Sequence, residues 1–135
     1  MATKRVYTYP FTMTRVIDGD TIEGYADMGF YTKRLVSVRL LGVNTPEKTG
    51  AEKEAGLFVK DRVLIWMKER EGKLQLESKK LDKFGRVLGD FYTPGNQGLA
   101  AYLLVNKLAK AYTSGKPPRF SAKDRADIVK RKYEV

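Results

Sequence analysis

Three short stretches carry side chains suited to a negatively charged substrate. Asp18-Gly19-Asp20-Thr21 sets two carboxylates around a glycine, Arg39 precedes Asn44-Thr45-Pro46-Glu47, and Asp82-Lys83-Phe84-Gly85-Arg86 brings a second arginine. Paired carboxylates present oxygen ligands to a hard cation. An arginine donates two parallel hydrogen bonds to a phosphate, and a glutamate can deprotonate a water. Each stretch also has a plain structural reading. Asp-Gly is a frequent hairpin turn, Thr45 with Pro46 could open a helix, and the third stretch reads as a turn with a solvated arginine beyond it. The helix cap is incomplete, because a capping box wants Glu or Gln where Lys48 stands. Singly, none of the three decides between structure and chemistry.

Composition narrows the options. The chain has no cysteine and no histidine, which removes disulfides, thiolate chemistry and the usual proton-transfer group near neutral pH. Catalysis would rest on carboxylates, Lys, Arg, Tyr, Ser or Thr, or on a metal held by oxygens, which points to cations such as calcium or magnesium. Lys and Arg number 26 against 16 Asp and Glu, a formal charge of +10 over 135 residues. A surplus of this size favours a polyanionic partner, nucleic acid first and an anionic membrane surface second. No apolar run approaches the roughly 18 residues of a membrane span, and MATKRVYTYPFTM lacks the apolar core of a signal peptide. The chain is therefore expected to be cytoplasmic, a single domain over residues 1–135, with no membrane partner.

The elements that must position these residues follow from periodicity. Strands are predicted over Phe11 to Ile17 and Thr21 to Tyr25, then over Tyr31 to Leu41 beyond an Asp27-Met28-Gly29 turn. In the third strand Val36, Val38 and Leu40 share one face, so Arg39 points away from the apolar side. A helix is predicted from Glu52 to Arg70, with Ala55, Val59, Val63 and Trp66 at helical spacing. Lys73 to Lys79 and Arg86 to Tyr92 form a hairpin around Leu81 to Gly85. A second helix is expected from about Gly98 to Ala109, and a last, polar one from Ser121 to Lys132, capped by Ser121. This order favours an α+β fold with a small curled sheet.

In the order carboxylate, arginine, glutamate, arginine, the segments "VIDGDTI", "VRLLGVNTPE" and "DKFGR" resemble the three signature segments of the staphylococcal nuclease (thermonuclease-like) family. The likeness continues through "EAGLFVKDRV" and "LLVNKLAKAY" and covers roughly residues 13 to 112. It implies an OB-fold, a five-stranded β-barrel with three helices, the third uncertain. It also implies a metal-dependent, sequence-nonspecific endonuclease that hydrolyses phosphodiester bonds of DNA and/or RNA and leaves 3′-phosphates. By this resemblance Asp20, Asn44 and the backbone carbonyl of Thr45 hold a divalent cation, calcium first, with magnesium or manganese as alternates. Asp18 and Thr21 support the metal loop. Glu47 activates water, Arg39 and Arg86 clamp the phosphate, and Lys83 and Tyr112 contact nucleic acid. A monomer is expected.

Departures from the family pattern are informative. Asn44 stands where an aspartate is common, supplying an oxygen without its charge. Phe84 replaces a frequent tyrosine, and Tyr112 lacks the following family tyrosine, with Thr113-Ser114-Gly115 in its place. Asn44 keeps open a second expectation, a catalytically weak or inactive nucleic-acid-binding OB-fold module. A basic scaffold or membrane-surface protein explains the charge but leaves the three motifs as coincidence.

Overall fold

The computed structural model describes residues 7–131. Its centre is a closed barrel in the order β1-β2-β3-β6-β5, built from β1 (Tyr7–Asp18), β2 (Thr21–Asp27), β3 (Lys33–Leu40), β5 (Gln75–Leu81) and β6 (Val87–Tyr92). All pairings are antiparallel except β3 with β6, which is parallel. A parallel pair needs a long crossover, and here the connection carries β4 (Val43–Asn44), a short 3-10 turn (Gly50–Glu52), helix α1 (Lys53–Glu69) and β5. Helix α2 (Leu99–Val105), β7 (Lys110–Ala111) and helix α3 (Ala122–Lys130) complete the chain, with β7 pairing β4. This is the expected α+β, OB-fold five-stranded barrel with three helices. No helix among the described residues is long and apolar enough to cross a membrane.

The alternation read in β3 appears as burial. Val38 and Leu40 are sealed in the barrel with Ile22, Leu76 and Phe91, while Arg39 faces outward. Helix α1 closes the barrel with Ala55, Val59, Val63, Trp66 and Met67, and each large side chain buried in this way contributes about 1.5–3 kcal/mol. Phe11 and Phe91 meet inside at 4.7 Å between ring centroids. The third helix packs on α1 through buried Ile128, preceded by buried Phe120. Ser121 caps it with a capping box: Asp124 N–H donates to Ser121 Oγ at 3.1 Å, and Ser121 N–H donates to Asp124 Oδ2 at 2.9 Å.

One open sequence reading is decided and two change. No helix follows Thr45 and Pro46; that segment is irregular and leads to the 3-10 turn. The second helix stops at Val105 rather than near Ala109. Lys107 takes φ 58°, its N–H bonds Leu104 O at 3.1 Å and Leu108 N–H bonds Leu103 O at 2.8 Å, a Schellman ending made without glycine. The third strand starts at Lys33, because Phe30 and Tyr31 take left-handed φ values of 55° and 64° in the preceding turn. The predicted end of the last helix, Lys132, lies outside the described residues.

Candidate active site

One end of the barrel opens into a cleft of about 460 Å³. It is lined by Asp18, Asp20, Thr21, Arg39, Asn44, Thr45, Glu47, Lys83, Arg86 and Tyr112, together with Pro46, Phe84 and Pro117. Every residue singled out in the sequence therefore lies on one surface. Asp18 and Thr21 pair across the β1–β2 turn, Thr21 pairs with Arg39, and Arg39 pairs with Leu88 in β6, one residue past the strand start at Val87. Barrel closure brings the first and third stretches to the same rim.

Asp20 is 8% exposed and sits at the centre. Its Oδ2 accepts from Thr45 N–H at 3.1 Å and lies 3.4 Å from Arg39 Nη2, while Oδ1 accepts from the Thr21 hydroxyl at 3.2 Å. Arg39 Nη1 donates to the Leu40 and Val43 carbonyls at 2.8 and 2.9 Å, and Nη2 donates to Asn44 Oδ1 at 3.4 Å. The guanidinium is thus held in a fixed orientation before any ligand arrives. Asn44 uses both ends of its amide, since Nδ2 donates to the Pro118 carbonyl at 3.1 Å. An aspartate could accept from Arg39 but would set an oxygen against that carbonyl.

Arg86 is fixed differently. Asp82 Oδ2 accepts from Arg86 Nε at 2.7 Å, and Asp82 Oδ1 accepts from the backbone N–H groups of Arg86 and Phe84 at 2.8 and 2.9 Å. Burial works upward on the Asp82 carboxyl, but these donors outweigh it and hold the group below the usual carboxylate range. The Phe84 ring lies against both cations, 5.5 Å from the Arg86 guanidinium and 5.2 Å from Lys83 Nζ. Tyr112 spends its hydroxyl on the Gly115 carbonyl at 2.8 Å, within its own loop.

Glu47 is exposed at the mouth of the cleft. Its carboxyl is pushed up from the ordinary value, first by desolvation and then by the neighbouring carboxylates of Asp18, Asp20 and Glu52, against the pull of Arg39. Asp18 is also raised, chiefly by burial, with Lys48 opposing. Lys48 Nζ donates to the Ile17 carbonyl at 2.9 Å and stands 3.8 Å from Asp18 Oδ1.

Two positioning features escaped the sequence reading. Glu52 Oε1 accepts from Glu47 N–H at 2.9 Å, and its Oε2 accepts from Phe120 N–H at 3.1 Å, tying the Glu47 loop to the segment before α3. Gly56 of α1 lies directly under the same loop: a Cβ there would fall 2.0 Å from the Glu47 carbonyl oxygen. Glu52 gave no sequence signal, because its bonds run to backbone groups. Asp82 was visible in principle, as an Asp three residues before a glycine favours a tight turn.

A cation site can be judged from the oxygens present. Among the described residues no group of three or more His, Cys, Asp or Glu is gathered around one point. Yet Asp18 Oδ1 and Thr45 Oγ1 are buried in this cleft without a hydrogen-bond partner, beside the Asp20 carboxylate and the Asn44 amide oxygen. Buried oxygens are rarely left unpaired. Two carboxylates with neutral oxygens fit a hard cation that keeps several of its waters.

A family profile described as staphylococcal nuclease homologue matches residues 37–132. The chain belongs to the staphylococcal nuclease family. The matched span covers Arg39, Asn44 to Glu47, Arg86 and Tyr112; the Asp18–Thr21 turn lies before it and reaches the same cleft through the β1–β2 and β2–β3 pairings.

Proposed function

We propose that this nuclease-family chain is a metal-dependent, sequence-nonspecific endonuclease that hydrolyses phosphodiester bonds of DNA and/or RNA. The convergence of Asp20, Arg39, Glu47 and Arg86 on one open cleft carries the reading. A phosphodiester resists hydrolysis because the nucleophile approaches an anion and charge grows on the phosphoryl oxygens. Arginines fixed in advance stabilise that charge without reorganising, often the largest catalytic contribution.

Arg39 has five N–H donors; Nη1 commits two to carbonyls and Nη2 faces Asn44 Oδ1 and Asp20 Oδ2 at 3.4 Å, so Nε is the donor left to meet a phosphate oxygen. Arg86, held through Nε, has its two Nη groups left for the same cleft. Glu47 accepts a proton from water as the water oxygen bonds to phosphorus and the bond to the 5′-oxygen breaks; the 5′-oxygen takes a proton from solvent, leaving a 3′-phosphate and a 5′-hydroxyl. The raised proton affinity of Glu47 suits a base. Asp20, Asn44 Oδ1 and the Thr45 carbonyl would hold a divalent cation, calcium first, with Asp18 and Thr21 shaping the loop. When bound, such a cation supplies neutralisation of phosphate charge. Lys83 and the Tyr112 ring flank the path of the chain being cut.

The test is incubation of the protein with plasmid and single-stranded DNA in calcium, magnesium or EDTA. Cleavage that needs the cation supports the reading. Salt-sensitive binding with no cleavage under any cation would instead support the non-cutting binding module.

A further inference from the structure

The turn between β2 and β3 is built against its own backbone preference. Thr32 N–H donates to Gly29 O at 2.9 Å, closing a tight turn whose two central residues, Phe30 and Tyr31, both have left-handed φ, 55° and 64°. Both φ values are those of a type I′ turn, where Asn-Gly, Asp-Gly or Gly-Gly is preferred because bulkier side chains are disfavoured at both positions. Gly29 before them, at φ 82°, forms a bulge, with Met28 N–H bonding Thr32 O at 2.8 Å. The two aromatic side chains gain nothing from packing in return, being 100% and 106% exposed. Strain kept without a folding benefit marks a functional surface.

We propose that this hairpin tip is a base-stacking exosite for single-stranded nucleic acid, remote from the cleft and serving it. The inference rests on the nuclease reading for its purpose, though not for its geometry. Tyr31 is followed by exposed Lys33 and Arg34, which have no ion-pair partner among the described residues. Two open aromatic faces beside two free cations form the combination that holds bases and backbone without reading sequence. The outer face of β3 carries Lys33, Leu35, Ser37 and Arg39 in line, so the tip and the cleft are the two ends of one surface. Lys33, just past the tip, and Arg39 are about 20 Å apart along β3 at about 3.3 Å per residue. Two carboxylates of β2 border that path: Glu23, ion-paired with Arg15 at 3.1 Å, and Asp27, opposite Lys33, whose Oδ1 accepts from Gly29 N–H at 2.9 Å. A strand of several nucleotides clamped at Arg39 can reach the tip, and a dinucleotide cannot.

The testing variant is Phe30→Asn/Tyr31→Gly, which installs the favoured turn pair and is expected to raise the melting temperature. Binding of a labelled single strand of about 16 nucleotides is measured in EDTA by fluorescence anisotropy. We expect about tenfold weaker binding by the variant. The factor should be similar at low and high salt, because stacking releases few counterions. Cleavage of a dinucleotide should be unchanged. Equal affinity of wild type and variant for the long strand overturns the exosite, as does an equal loss on the dinucleotide. Sedimentation with phosphatidylserine vesicles supplies another arm: vesicle binding lost in the variant, with strand binding intact, assigns the tip to a lipid surface and also overturns it. Tip-dependent strand binding in a protein that cuts nothing under any cation leaves the exosite standing and removes only the nuclease reading.

Discussion

At the scale of single residues, the site is a set of charges whose positions are fixed by neighbours rather than by ligand. Arg86 shows this most simply, since Asp82 grips it through Nε and leaves its outer nitrogens open. Arg86→Ala should lower turnover by about a hundredfold or more. Its melting temperature should fall only modestly, because the side chain is about one-third exposed and its main loss is the 2.7 Å pair with Asp82; stopped-time cleavage assays and a thermal melt check both. Asn44→Asp has two expected effects. The added charge should tighten calcium binding, measured by calorimetry, while loss of the donor to Pro118 O should cost the cation-free protein about 1 kcal/mol in a denaturant melt. Unchanged calcium affinity would mean that this side chain does not reach the ion. The charged residues were legible from sequence because arginines and carboxylates interrupt apolar periodicity in three places. Their holders were not, because Leu40, Val43 and Pro118 act through backbone carbonyls that carry no side-chain signature.

At the scale of elements, the cleft depends on close approach between α1 and the Glu47 loop. Gly56→Ala would drive a methyl group into the Glu47 carbonyl, so the loop must move. A displacement of about 1 Å can cost about a hundredfold in rate. The expected outcome is a large fall in kcat with the far-ultraviolet helix signal retained; wild-type kcat would show that the loop does not need this contact. Most elements were legible, since β3 and α1 carry clean periods of two and 3.6. The end of α2 was not, because Lys107 closes the helix in a conformation usually reserved for glycine or asparagine. Thr45-Pro46, an incomplete cap that left a helix start open, opens none, and the Thr45 N–H is held by Asp20.

At the scale of the whole molecule, the C-terminal segment is part of the site's support. Pro118 meets Asn44, Phe120 meets Glu52, and α3 is anchored by Lys110, whose Nζ lies 2.7 Å from Asp124 Oδ2. That hydrogen bond, with those from Ser121, holds the Asp124 carboxyl down at about 2 against a usual 3.8. A depressed carboxylate contributes stability above its unfolded value, and the contribution is lost as pH falls through its folded value. Asp124→Asn should therefore melt below wild type at pH 5 to 7, and the gap should close between about pH 4 and pH 2. A gap that stayed constant with pH would detach this pair from acid stability. A small curled sheet was legible from strand order and the barrel from the family resemblance, but closure through the parallel β3–β6 pair was not, since that contact joins residues far apart in the chain.

The central claim is that the cleft cuts phosphodiesters with Glu47 as the base. The most direct test is the single-turnover cleavage rate of single-stranded DNA in calcium for wild type and Glu47→Gln, with strand binding measured in EDTA. We predict cation-dependent cleavage by wild type, a loss of about a hundredfold or more in the variant, and equal binding by both. Cleavage by the variant at the wild-type rate would contradict the claim.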